Sequence, residues 1–348
     1  LLLVSKETYQ TFYDCMCRRF TWRMNFRNLQ PVGIQSLWIS GNANILSLFK
    51  HQAQLTHLLY DAVPHVNVVD NWPKSLRSMH LRCKHNYLLR VPKHLEKLVL
   101  AGKGFHMMGL EHSDVKDLEF IGSKNIYIDE FPRNLERLCF RGKEHFHDAI
   151  ASSSILLEDN KLPETIHTVH LEMEKLPILH SYLRHVTLAS PRPISLDLSQ
   201  LLLLETLKLN SDANVTFTGE FPALLRHLKI ICNHSRIPQP PDMLKKLYLS
   251  GIFELPNNII TCNNADVIDL RYAIFETVIT LDCQKSTRLR KCRLPTVVQG
   301  VIFSEHAKQN TLKLLGFEEF PLFHWTLSVL ERIEIYDRGG IDIDGRIA

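Results

Sequence analysis

Two stretches near the middle of the chain decide the fold: Pro222-Ala-Leu-Leu225-Arg-His-Leu228-Lys-Ile230 and Pro241-Asp-Met-Leu244-Lys-Lys-Leu247-Tyr-Leu249. They share one pattern, a proline with apolar residues at the third, sixth and eighth positions after it. The last two apolar residues are two apart, so both point to the same face of a short strand. The first lies three residues earlier, where we expect the chain to turn into that strand.

The same pattern recurs along most of the chain. Counted between first apolar positions, the intervals are 21, 21, 19, 20 and 20 residues from Ile34 to Leu135. They are 21, 21, 19 and 21 residues from Leu183 to Ala265. A period near 20 lies at the short end of the range for leucine-rich repeats. Copies that begin with proline start at Pro31, Pro73, Pro92, Pro132, Pro163, Pro222, Pro241 and Pro295.

A repeat of this kind predicts a solenoid. Each copy carries three apolar side chains that it cannot bury alone, so neighbouring copies must stack into a continuous core with a parallel sheet. We therefore expect an α/β fold over residues 28–348, a leucine-rich-repeat horseshoe of about 14 short repeats whose strands line the concave face. The return path should be extended or single-turn, with the proline in it. The interval of 31 residues between Leu135 and Ile166 predicts an insertion at about 141–160.

The first 27 residues do not follow the repeat. From Ser5 to Phe20, apolar residues recur at helical spacing, and Ser5 is a suitable N-cap. The sequence predicts an N-terminal helix here, which could cover the open edge of the solenoid.

The same segment resembles a known family. Leu1-Leu-Leu-Val4-Ser5-Lys6, followed by Phe12-Tyr13 and Arg18-Arg19-Phe20, resembles the second half of an F-box. An F-box followed by leucine-rich repeats is similar to the F-box/LRR substrate receptors of Skp–cullin–F-box ubiquitin ligases. The resemblance implies that the sequence begins within the F-box and that residues 1–27 are its C-terminal, helical part. It also implies a Skp-type adaptor as a partner, which would contact Leu3, Val4, Phe12 and Met16.

Composition narrows the choice of partner and compartment. The chain has 41 basic and 37 acidic residues, a net charge of +4, which is too mild to predict nucleic-acid binding. No apolar run approaches the roughly 18 residues of a membrane helix, so we expect no membrane partner. The eight cysteines are too sparse for a disulfide framework, which favours reduced thiols and a cytoplasmic or nuclear location.

No motif predicts catalysis. His145 and His147, followed by Asp148, carry metal-binding side chains within the insertion, but the full set of ligands that a metal site needs is not evident nearby. We therefore expect no enzyme activity, no catalytic residues, no metal and no cofactor. An enzyme that uses this histidine-rich insertion is the alternative from another functional class.

The outward side chains of the predicted strands are the candidate site, because solenoids bind partners along this face. Basic residues beside Tyr248 predict an acidic or phosphorylated protein segment as the partner. Asp282 is expected to follow Asp269 in the row of outward side chains. The function expected from these features is substrate recognition for a ubiquitin ligase, and the alternative is an interaction scaffold unrelated to ubiquitin. The candidate partner-binding residues are Trp38, His80, Glu119, Arg137, His170, Lys208, His227, Lys229, Lys246, Tyr248 and Asp269.

Overall fold

A computed structural model describes 15 segments of the chain, and they form two compact units. The first unit is Leu1–Ile166 with His170–Ile178, and the second is His167–Val169 with Leu179–Ala348. The described residues are 22–24, 35–41, 54–62, 72–122, 125–128, 130–142, 154–156, 162–173, 176–276, 279–283, 291–293, 300–303, 312–315, 333–336 and 342–345.

The first unit is built from strands separated by short turns. They are β1 (Trp22–Met24), β2 (Ser36–Gly41), β3 (His57–Ala62), β4 (Ser78–Arg90), β5 (Lys97–Met108), β6 (Asp117–Ile121), β7 (Asn125–Tyr127), β8 (Arg137–Arg141) and β9 (Ser154–Leu156).

Two ladders of parallel strands, here named the first and second sheets, run through the first unit and are joined by the long strands β4 and β5. In the first sheet, β1, β2, β3, β4, β5, β6 and β8 pair in sequence order, always parallel. In the second sheet, the ends of β4 and β5 pair with each other, and β7 and β9 continue the ladder. Each turn of the chain therefore adds one strand to the first sheet, and several turns also add one to the second.

The second unit repeats this arrangement with more strands. Thr168–Glu172 (β10) contains residues of both units. The others are β11 (His185–Ser190), β12 (Ile194–Asp197), β13 (Thr206–Ser211), β14 (Val215–Thr218), β15 (His227–Arg236), β16 (Lys246–Glu254), β17 (Ile259–Thr261), β18 (Val267–Phe275), β19 (Thr280–Cys283), β20 (Lys291–Arg293), β21 (Gly300–Phe303), β22 (Leu312–Leu315), β23 (Ile333–Tyr336) and β24 (Asp342–Gly345).

The second unit also has a first and a second sheet, joined by the long strands β15, β16 and β18, and a separate third sheet. The first sheet contains β11, β13, β15, β16, β18 and β20 in that order. The second contains β12, β14 and the ends of β15, β16 and β18. The third contains β17, β19 and β21. Near the end of the chain, β22 and β23 are parallel, and β24 pairs antiparallel with β23.

The repeated proline begins a tight turn. The backbone N–H of Leu225 donates to the carbonyl oxygen of Pro222 at 3.0 Å, and Leu244 donates to Pro241 at the same distance. Proline suits this position because only its carbonyl group is needed. Leu204, whose turn has no proline, makes the same bond to Leu201. The proline thus lies where the chain enters the strand, at the end of the return path.

The apolar positions of the repeat stack in register. In the first unit Leu98, Leu118 and Leu138 are Cα partners on neighbouring strands and are buried. In the second unit Leu207, Leu228 and Leu247 do the same. The predicted parallel solenoid of stacked turns is confirmed within each unit.

The α/β assignment is not supported. Helical structure in the described residues is limited to two 3-10 turns, Leu110–His112 and Leu198–Gln200. A period near 20 leaves few residues for the return path, and extended strands cover that distance at about 3.3 Å per residue where a helix would cover about 1.5 Å. The second sheets occupy the place where α/β repeats would carry helices.

Two further predictions concern partly described segments. The predicted N-terminal helix, residues 5–20, lies outside the described residues. Trp22–Met24, also within the segment 1–27, is a strand that pairs parallel with β2, so the repeat's sheet extends into a segment expected to be helical. Of the predicted insertion, 141–160, the structure describes 141–142 and 154–156, and the latter form β9, which pairs with β7.

Buried thiols give a first testable prediction. Burial raises the pKa of Cys232 to about 11 and, with a smaller effect of Asp282, that of Cys262 to about 12. Since the thiolate is the reactive form, iodoacetamide at pH 8 should leave both unlabelled in the folded protein and label both in urea. Mass spectrometry of the digested protein measures the labelling. Equal labelling rates with and without urea would contradict this burial.

Candidate partner-binding site

A column of residues that are Cα partners from strand to strand runs along the first sheet of each unit, as the repeat predicts. In the first unit, the positions between the last two apolar residues of each repeat are Cα partners from strand to strand. Val99 and Cys139 in this column are nonetheless buried, and His80 is half-buried. The column runs through Trp38, Leu59, His80, Val99, Glu119 and Cys139.

Charges in the first unit's column are compensated internally. Glu119 is only 8% exposed, and its carboxylate lies 3.2 Å from Nε of Arg141. Arg137, a predicted partner-binding residue, donates to Asp117 at 2.8 Å. Lys97 lies 2.9 Å from the same aspartate. These ion pairs join neighbouring strands and leave little uncompensated charge for a partner.

His170 also makes an internal contact. Its Nε2 lies 2.8 Å from Oε1 of Glu172, whose Oε2 accepts from the backbone N–H of Gly142 at 2.6 Å. Burial raises the pKa of Glu172, but the hydrogen bonds from His170 and Gly142 outweigh it, so that the net pKa is lowered. The carboxylate therefore stays ionised and holds the His170 side chain.

In the second unit the column differs from the prediction at one place. Asp282 was expected to follow Asp269, but it lies on β19 in the third sheet, where it pairs with Thr261. Arg293 on β20 takes the position beside Asp269. The column runs through Thr187, Lys208, Lys229, Tyr248, Asp269 and Arg293.

Lys208, His227, Lys229 and Lys246 lie on three adjacent strands and are here named the basic face. Lys208 and Lys229 are Cα partners on β13 and β15, and His227 and Lys246 are partners on β15 and β16. All three lysines are exposed, and among the described residues none has a carboxylate within 4.0 Å. The basic face is therefore a concentration of uncompensated positive charge.

The pKa of His227 reflects this concentration. Burial lowers the pKa, and the neighbouring Lys246 and Lys208 lower it further, because a second positive charge is disfavoured beside the first. His227 is consequently neutral at pH 7, and its ring can still donate or accept one hydrogen bond.

An aromatic ring and a closed ion pair border the basic face. Nζ of Lys229 lies 5.0 Å from the ring centroid of Tyr248, a distance suited to a cation–π contact. Asp269 accepts two hydrogen bonds from Arg271, at 2.9 and 3.0 Å, and is buried. Burial, followed by the charge of Asp269, raises the pKa of Tyr248, which keeps its hydroxyl protonated.

A second basic feature, in the first unit, was missed by the sequence analysis. A cleft of about 420 Å³ lies between the turns that precede and follow β4 and β5. Trp72 forms one wall, and its Nε1 donates to the carbonyl oxygen of Arg90 at 3.0 Å. The charged or titratable side chains that line it are Lys74, Arg90, Lys93, His94 and His112. Turn residues fall outside the apolar pattern, so only the pairing of consecutive turns reveals the cleft.

The other candidate residues lie in parts of the chain that the structure does not describe. The residues expected to contact an adaptor, Leu3, Val4, Phe12 and Met16, lie outside the described residues, as does the histidine-rich part of the insertion. Within the described segments, no group of three His, Cys, Asp or Glu side chains could hold a metal ion. The same segments contain no helix with the length and hydropathy needed to span a membrane.

The described residues define the chain as a repeat protein, a parallel β-solenoid of stacked turns near 20 residues long. No protein-family model and no curated protein matches the chain.

Proposed function

We propose that this protein is a non-catalytic receptor that binds an acidic or phosphorylated segment of another protein on the basic face. The observation that carries the proposal is a set of three exposed lysines on adjacent strands, none of which has a carboxylate of the described residues within ion-pairing distance. Charge-assisted hydrogen bonds from lysines to carboxylates or phosphates are about twice as strong as neutral ones. Strands about 4.8 Å apart place these ammonium groups within reach of successive residues of one bound segment.

The surroundings of the lysines favour a peptide as the ligand. Tyr248 offers an aromatic surface beside Lys229, and aromatic residues next to cations are common at the energetic centre of protein interfaces. His227 is neutral and adds a hydrogen-bonding group without more charge. On the described part of the corresponding surface of the first unit, Glu119 and Arg137 are held in internal ion pairs.

Charge reversal on the basic face tests the proposal. Binding of an array of acidic and phosphorylated peptides should weaken about tenfold or more in a Lys229→Glu, Lys246→Glu variant, because attraction becomes repulsion. Binding by the unmodified chain should also weaken as salt is raised. The matched control, Lys116→Glu with Arg133→Glu, makes the same change of net charge on exposed turns of the first unit and should leave binding unchanged. Equal losses in both variants, or no binding of any acidic peptide, would refute the proposal.

A finer proposal concerns the biological setting. The resemblance of residues 1–20 to part of an F-box, together with leucine-rich-type repeats, supports a role as substrate receptor of a Skp–cullin–F-box ubiquitin ligase in the cytoplasm or nucleus. Partner proteins would catalyse ubiquitin transfer, and this chain would supply proximity. Leu3, Val4, Phe12 and Met16 would contact the Skp-type adaptor. Co-purification of the full-length protein with that adaptor is the test, and its absence would leave a binding scaffold unrelated to ubiquitin.

A further inference from the structure

A line of exposed apolar side chains runs along one edge of the second unit. Each lies immediately before the first buried leucine of its turn. This position does not require an apolar residue. Their exposed fractions are 52%, 37%, 46% and 46% in chain order. These residues, here named the apolar ridge, are Tyr182, Leu203, Leu224 and Met243.

The turn itself does not require these side chains. At the same position in successive turns of the first unit, every described residue is polar: Gln54, Ser75, His94, Asp114, Asn134 and Thr165. In the second unit the ridge ends at Asn264, which donates to the carbonyl oxygen of Asp242. Four successive turns thus carry an exposed apolar residue at a position that readily accepts a polar one. Such a row of exposed apolar side chains indicates an interaction surface.

Positive charge borders the apolar ridge on the side of the strands. Two residues beyond each ridge residue, and so within about 7 Å along the chain, lie Arg184, Glu205, Arg226 and Lys245. Glu205 is paired with Arg184 at 3.4 Å, so Arg226 and Lys245 dominate this row. The lysines of the basic face lie on the strands that begin just after this row. The surface is therefore apolar along one line and cationic beside it.

We propose that the apolar ridge and the basic face together hold an amphipathic helix of the partner protein, apolar on one side and acidic on the adjoining side. The inference rests on the proposed function and specifies the form of the ligand. Neighbouring turns are about 4.8 Å apart, so the ridge is about 14 Å long. Each 5.4 Å turn of a helix places about one residue on a given face. A helix of roughly three turns therefore spans the ridge and brings one apolar residue near each ridge residue. Glutamates beside those residues would meet Arg226, Lys245 and the basic face.

The geometry favours a helix over two other occupants. An anionic membrane would meet a broad apolar surface, whereas the ridge is a single row of residues that widens only at Leu203, where Leu202 is also exposed. A second copy of this chain would place like charges against each other if it used the same surface, because the basic face borders the ridge.

A designed peptide tests the inference on the full chain. The probe is a fluorescent helical peptide of about 16 residues, with leucines at i, i+4, i+7 and i+11 and glutamates on the adjoining face. It should bind more tightly than a scrambled peptide of the same composition. A Leu203→Ser, Leu224→Ser variant should weaken its binding about tenfold, since both side chains lose apolar contact with the probe. The control, Ile252→Ser with Ile274→Ser, alters two exposed residues that are partners on β16 and β18 and should change nothing.

Each contrary result has a distinct meaning. If the probe and its scrambled version bind equally, unaffected by the ridge variant but weakened by Lys229→Glu with Lys246→Glu, the helix inference fails and the proposed function stands. If no acidic peptide of any kind binds, the proposed function fails as well. Ridge-dependent binding to phosphatidylserine vesicles, or a ridge-dependent dimer in sedimentation, would assign the ridge to a membrane or to a second copy and overturn the inference.

Discussion

Alanine in place of Gly251 should lower the free energy of unfolding by about 3 kcal/mol or more, measured by urea denaturation. Gly251 has a φ of 123° and lies where β16 bends from the first sheet into the second. A Cβ atom built there overlaps the carbonyl oxygen of Cys232 in the preceding turn. That oxygen is part of the backbone, so relief would require the two turns to separate.

Gly219 provides the matched control in the same unit. It also has a positive φ, of 82°, but the nearest atom to an added Cβ is the backbone nitrogen of Ser199 at 3.4 Å. Gly219→Ala should therefore cost only the backbone strain, about 1 kcal/mol. Similar losses for the two variants would show that turns do not approach closely at Gly251.

The second large effect concerns the alternation of buried and outward positions on β15. Leu228→Ala should destabilise the protein by about 3 kcal/mol, because Leu228 is 1% exposed and stacks between Leu207 and Leu247. Its neighbour Lys229 points outward, and Lys229→Ala should change stability by less than about 0.5 kcal/mol. Thermal and urea unfolding both measure the difference. Comparable losses at the two positions would contradict the assigned faces of the strand.

The repeat predicted the first sheet well because its register depends on few residues. Leu228 and Ile230 must face inward together, and turns of nearly constant length bring Leu207 and Leu247 alongside. Burial of apolar surface then fixes the register, since a slip of one residue would expose the whole set.

The second and third sheets could not be predicted from the apolar repeat. Their strands lie in return segments whose length and composition vary from turn to turn, so no fixed spacing marks them. Asp282 shows the consequence: Leu281 and Cys283 imitate a repeat copy, yet their strand pairs with β17 and β21 in the third sheet. Gly102 and Gly251, which allow close approach at equivalent bends, were missed because the apolar pattern does not include them.

Placement of the candidate site residues was predicted better than their contacts. The repeat predicted that Lys208, Lys229 and Tyr248 lie in one row, and in the structure they are Cα partners on neighbouring strands. The sequence could not show that Glu119 pairs with Arg141 or that His170 contacts Glu172. Such contacts depend on side-chain conformations, which the repeat does not determine. The apolar ridge was missed because its members look like additional core residues beside the repeat leucines.

Disulfide trapping tests the stacked parallel turns most directly. Lys208 and Lys229 are outward Cα partners, so a Lys208→Cys, Lys229→Cys variant places two thiols on adjacent strands about 4.8 Å apart, within the range that a disulfide spans. Lys208→Cys with His227→Cys is two residues out of register, about 8 Å apart, and beyond that range. Under mild oxidation, mass spectrometry should find the 208–227 link forming far more slowly than the 208–229 link. Equal rates, or a faster link between 208 and 227, would contradict the parallel solenoid.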